Sequence, residues 1–173
     1  ARAEDSRWED HAIAERVDNP YLAALMADFR GFQSLLVGEV AQARSALAEA
    51  VAYASAARNA EVLAYSAEGV AACSLLGGEA LRAARLLGGA SGLRERSGFS
   101  AWPLMRSYSA LMVEGVRGAL GQDFDAAWES GRGWDFGTLA RELRKALAAD
   151  PEVAAGQPGP TVTPGAGSGG PLT

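Results

Sequence analysis

The stretch Leu35–Ala50, LLVGEVAQARSALAEA, returns once further along the chain, displaced by forty residues. Ser34-Leu35-Leu36 falls on Ser74-Leu75-Leu76 and Gly38-Glu39 on Gly78-Glu79. Ala43, Leu47 and Ala50 fall on Ala83, Leu87 and Ala90, while upstream Ala24 and Ala27 fall on Ala64 and Ala67. Self-similarity at such a period marks a helical-repeat array, in which each unit buries its apolar face on its neighbours. It does not mark an active site.

Composition points the same way. Nearly half of the 173 residues are apolar (49%), but Ala supplies much of that share and aromatics are few (8%), so the prior is all-α. One domain is the default at this length. A net charge of −5 argues against nucleic-acid binding by this segment itself, because phosphate recognition needs a concentrated basic surface. Cys73 is the only cysteine, which excludes an intrachain disulfide and favours a cytoplasmic setting. No apolar run reaches the ~18 residues of a membrane span. The N-terminus is charged and carries Trp8 and His11, unlike a signal peptide. Beginning at Ala1 in what reads as mid-helix sequence, the chain is expected to be a piece of a longer one.

Along the chain, residues 4–17 alternate charged and apolar residues at helical spacing. Asp18-Asn19-Pro20 then supplies a capping residue followed by Pro at a first helical position. Helices are expected over 21–37, 39–58, 60–76 and 79–96, as two antiparallel pairs joined by short turns at Gly38, Asn59 and Gly77-Gly78. Pro103 opens a further helix to about Leu120, with Leu104, Tyr108, Leu111, Met112 and Val116 as its apolar side. Asp123 is expected to cap a short helix carrying Phe124 and Trp128, and Thr138 to cap a last one over 139–148. Residues 150–173 are Pro-, Gly-, Ala-, Ser- and Thr-rich, a composition that reads as a flexible linker or tail. The expected organisation is a helical-repeat domain over 1–149 followed by that linker.

Candidate chemistry is sparse. His11 stands alone, with no cysteine near it, and reads as an ordinary helix residue. No metal site is expected. Cys73 sits in an apolar helical stretch and reads as a small buried filler. Gly77-Gly78 and Gly88-Gly89 lack the strand, lysine and Ser/Thr of a phosphate loop. The first pair reads as a helix-ending turn, the second as permitting close helix packing. Neither catalytic residues nor a cofactor are expected in this segment. More interesting are Asp28 and Glu68, which the repeat register places at equivalent positions. With Leu25, Phe32 and Tyr65 they would line a partner-binding face along stacked repeats. The other reading of the two acids is that they are simply solvated.

The pairs resemble tetratricopeptide repeats. Gly31 stands where that motif has the packing glycine of its first helix, and Ala43-Leu47-Ala50 and Ala83-Leu87-Ala90 stand where its second helix has a small-large-small signature. Departures are Ala27, Ser34, Ala67 and Ser74 in place of aromatics, Ala71 in place of the second glycine, and a period longer than 34 residues. More specifically, the run GGEALRAARLLGGASGLRERSG (77–98) and the phrase FDAAWESGR (124–132) are similar to the closing helical region of large actinobacterial signalling ATPases. Those are transcriptional regulators of the LuxR type. That resemblance implies a non-catalytic sensor and coupling region that binds a protein or small-molecule inducer on its repeat face. Nucleotide and DNA would be bound only by other domains. It also suggests that Leu172-Thr173, after the linker, stands at the threshold of a helix-turn-helix domain. The alternatives are a protein-binding scaffold, or the sensor region of a cyclase or kinase regulator.

Overall fold

The computed structural model describes residues 19–149, all-α with no strand among them. The helix expected over 4–17, with His11, and the linker from 150 to 173 lie outside those residues. The helices are α1 (Pro20–Leu36), α2 (Val40–Ala56), α3 (Ala60–Leu76), α4 (Ala80–Ser97), α5 (Pro103–Leu120), α6 (Phe124–Arg132) and α7 (Phe136–Ala148), with a 3₁₀ turn at Gly121–Asp123.

The forty-residue repeat is reproduced in the caps and turns at the helix ends. Asn19 caps α1 by accepting from the Tyr21 and Leu22 amides, at 3.1 and 3.3 Å. Asn59 caps α3 by accepting from Val62 N at 2.9 Å. Such caps satisfy donors that a helix N-terminus leaves free. Both first helices end in the same turn. Gly38 N donates to Leu35 O at 3.1 Å and Glu39 N to Ser34 O at 2.8 Å; forty residues on, Gly78 N donates to Leu75 O at 3.0 Å and Glu79 N to Ser74 O at 2.8 Å. Gly38 and Gly78 sit at φ +78° and +79°, a left-handed conformation that favours glycine.

Packing follows from the small residues. The Leu47 side chain is fully buried between Gly31 of α1 and Gly69 of α3. A Cβ on either glycine would stand 2.7 Å from it. One leucine thus joins α1, α2 and α3. Helix α3 lies at the centre, with every residue from Val62 to Ser74 buried, as an all-round apolar helix must be. Helices α4 and α6 approach so closely that a Cβ on Gly88, Gly92 or Gly131 would overlap a backbone carbonyl of the facing helix. The Gly88-Gly89 stretch therefore serves close packing, as its sequence suggested. Helix α7 returns against α2, α3 and α4 through Leu139, Ala140, Leu143 and Ala146. There Arg44 of α2 donates to the carbonyls of Ala146, Leu147 and Ala149 at 2.7–2.8 Å, closing the C-terminal end of α7.

Three local expectations are corrected. Leu104 and Leu111 of α5 are 79% and 73% exposed. Val116 is buried and Tyr108 and Met112 are half-buried as expected, and Met105 and Val113 join that side in place of the two leucines. Helix α5 is apolar on more than one side, so spacing alone could not choose the inward one. Asp123 makes no capping bond, because the 3₁₀ turn leads directly into α6. Finally, Asp135 caps α7 by accepting from Thr138 N at 2.7 Å, which starts that helix earlier than expected.

Candidate interaction face

Residues 25, 28 and 32 follow the i, i+3, i+7 spacing of one helix side, and α3 repeats that side at Tyr65 and Glu68. The fold does bring these residues of α1 and α3 together. It does not leave them open. Asp28 is 2% exposed and Glu68 0%, and Tyr65 is equally buried, while Leu25 and Phe32 are half-buried. The reading of the two acids as simply solvated is corrected on this point.

The cover is the segment leading into α5 together with that helix's first turns. Trp102 N donates to the Tyr65 hydroxyl at 3.2 Å, and the two rings lie 5.6 Å apart. Tyr108 meets Phe32 edge-on at 5.0 Å. Tyr65, Ala101 and Met105 form a small apolar cluster of their own, with Phe32 and Tyr108 packed against it.

Beneath this roof lies a polar layer. Asp28 accepts from the Ser66 hydroxyl at 2.8 Å, and Glu68 accepts from Arg94 of α4 at 2.6 Å. The Arg94 guanidinium also stands 5.4 Å over the Tyr65 ring. Burial pushes the Asp28 carboxyl up to about 8; the Ser66 hydrogen bond pulls the other way and the Glu68 charge adds to the rise. Burial also raises the Tyr108 hydroxyl, assisted by the charges of Glu68, Cys73 and Asp28. Glu68 Oε2 and Arg94 Nε and Nη2 are buried without a hydrogen-bond partner, so this layer still has bonding capacity.

Spacing found the two acids but missed Ser66, Arg94 and Tyr108. Arg94 sits in the run Arg94-Glu95-Arg96 near the end of α4, where no spacing singles it out. Only the three-dimensional return of α4 along α3 reveals its role.

Chemically the face offers hydrogen bonds and charge. The nearby Cys73 thiol is buried and pushed up to about 11 by that burial, as fits a protonated packing residue. Among the described residues no group of three or more His, Cys, Asp or Glu side chains is placed to hold a metal ion. No helix among them is long and apolar enough to cross a membrane. Elsewhere, a shallow cleft of about 420 Å³ is lined by Glu79, Arg82, Arg85, Trp134, Glu142 and Lys145 among others. Its Arg82 and Lys145 are paired with Glu79 and Glu142. No family model, curated protein or solved structure matches the chain.

Proposed function

We propose that this chain is a non-catalytic coupling region: a tetratricopeptide-like array of antiparallel helix pairs that senses a partner and passes the response to other modules. The repeated caps and turns, and Leu47 seated against both Gly31 and Gly69, support the array reading. The observation that carries the function is the roof over the acidic layer. The face that stacked repeats would use for binding is occupied by the chain's own Trp102–Tyr108 segment. A protein segment or small inducer bearing a cation would meet Asp28 and Glu68 by displacing that segment, and α5 would move as a consequence. Resemblance to the LuxR-type signalling ATPases supplies the setting, a cytoplasmic regulator whose nucleotide-binding and DNA-binding steps take place on other domains.

The gene on either side of codons 1–173 tests the setting. A helix-turn-helix reading frame following Thr173 supports a transcriptional regulator. A stop codon there, with a cyclase or kinase domain upstream, sinks it in favour of the other sensor. Deuterium exchange tests the coupling. Tyr108→Ala is expected to speed exchange in α5 while leaving α2 and α3 unchanged, and uniform acceleration across all helices would reject a displaceable roof.

A further inference from the structure

We infer that the cleft between α4 and α7 is a binding site for a small aromatic carboxylate, separate from the acidic layer under Trp102 and Tyr108. The cleft measures about 420 Å³. Small-molecule sites span roughly 300–1,000 Å³, so it can take a ring ligand of modest size. Helix α4 supplies Leu81, Arg82, Arg85 and Leu86, whose spacings of three and four residues place them on one helix side. Helix α7 supplies Glu142 and Lys145, and Trp134 ahead of it supplies an aromatic ring.

This lining is fixed by the fold. The Trp134 ring lies against Gly89 of α4, where a Cβ would stand 3.2 Å from ring atom Cε3, and the Trp134 carbonyl accepts from Arg96. The Arg85 carbonyl is seated against Gly131 of α6, so its side chain starts from a pinned backbone. Leu86 is buried, and Leu81 is 45% exposed. A ring entering the cleft therefore meets apolar surface already in position, and little is lost to ordering protein groups.

The charges of the cleft do not cancel. Arg82 pairs with Glu79 and Lys145 with Glu142. Arg85 has no ion-pair partner among the described residues. One positive charge is thus left in excess, in a chain whose net charge is −5. A guanidinium pairs with a carboxylate through parallel N–H···O bonds, and an apolar ring beside them strengthens the bonds by excluding water.

Packing of the array does not call for these side chains. Forty residues earlier, Ala43, Leu47 and Ala50 match Ala83, Leu87 and Ala90, and Glu39 matches Glu79. The cleft positions do not match: Ala41, Gln42, Ser45 and Ala46 stand where α4 has Leu81, Arg82, Arg85 and Leu86. The second pair departs from the first at the residues that give the cleft its apolar surface and two of its cations.

The test is titration of the full chain with 2-naphthoate, followed through the assigned indole N–H signal of Trp134 in proton–nitrogen correlation spectra. The neutral 2-naphthamide, with the same rings, is the control ligand. Naphthoate is expected to shift the Trp134 signal to saturation, with a Kd about tenfold or more below that of naphthamide, as one charge-assisted hydrogen bond supplies. Arg85→Gln, at an exposed position, should keep the wild-type Tm, remove most of that difference and leave naphthamide binding unchanged. Equal Kd values for the two ligands on the wild-type chain would reduce the cleft to a plain apolar surface and overturn the inference. Naphthoate binding unchanged in Arg85→Gln would overturn it as well. A shift of the Trp102 signal with none at Trp134 would place the ligand at the roof of the acidic layer and reject the cleft.

Discussion

Arg94 of α4 and Glu68 of α3 form an ion pair at 2.6 Å in which the carboxylate side chain has no solvent exposure and the arginine keeps 13%. A pair taken out of water to this degree gains little over an apolar substitute, but removing one partner strands the other charge. Arg94→Ala is therefore expected to cost about 3–5 kcal/mol of unfolding free energy. Arg94→Ala combined with Glu68→Gln should recover more than half of that loss, because a neutral amide tolerates the vacated site. Urea unfolding of the four chains in this cycle measures it. Additive losses would show that the two residues are not coupled.

Asp28 lies in the same layer and faces no cation directly. Its carboxyl is raised from 3.8 to about 8, so between those pH values the folded chain binds a proton that the unfolded chain does not. The contribution of Asp28 to stability is thus full below about pH 4, falls as pH rises to about 8, and levels off above that. Asp28→Asn keeps an acceptor for Ser66 and cannot ionise. It is expected to match the wild type near pH 4 and to exceed it by on the order of a few kcal/mol at pH 8. The difference between the two chains is the quantity to follow. Hydrogen bonds from Arg132, the Thr138 amide and Lys145 hold Glu95, Asp135 and Glu142 below their ordinary values and pull the total the other way. A constant gap across the range would mean that Asp28 stays ionised.

Leu47 supplies a third test because it contacts two glycines on two helices. A Cβ on Gly31 would stand 2.7 Å from Leu47 Cγ, and one on Gly69 2.7 Å from Leu47 Cδ2. Leu47 is fully buried, so it has no open side to turn toward. Gly31→Ala and Gly69→Ala should each cost about 1–3 kcal/mol by overpacking, despite the better helix propensity of alanine. Leu47→Val should relieve part of either loss. Thermal unfolding of the single and double variants decides it, and an unchanged Tm in Gly69→Ala would place Leu47 elsewhere.

How much of this was legible beforehand depends on which side of a residue matters. Local punctuation located α3 and α5 to the residue, because Asn59 and Gly77 bound the first and Pro103 and Gly121 the second. The repeat offset paired Asp28 with Glu68. Their burial was not legible, since it depends on Trp102 and Tyr108 folding back from a segment outside the repeat. Nor was the inward side of α5, where Leu104 and Met105 are equally apolar neighbours. Arg44 was illegible for a similar reason: its three carbonyl partners lie about a hundred residues away, on a helix end that no spacing rule connects to it.

The contact between α4 and α6 gives the sharpest separation among the glycines. A Cβ on Gly131 would overlap the Arg85 carbonyl, and one on Gly88 the Trp128 carbonyl. These obstacles are backbone, so no rotamer change relieves them and the two helices must move apart. Gly131→Ala is expected to cost more than about 3 kcal/mol, at the upper end of overpacking losses. Gly133, two residues on, has nothing nearer than 3.8 Å and an ordinary right-handed backbone, so Gly133→Ala should be neutral or stabilise by up to about 1 kcal/mol. Trp128 and Trp134 flank the contact and report it through fluorescence. A Gly131→Ala chain with wild-type stability and an unshifted emission maximum would show that α6 does not seat against α4 as closely as its glycines imply.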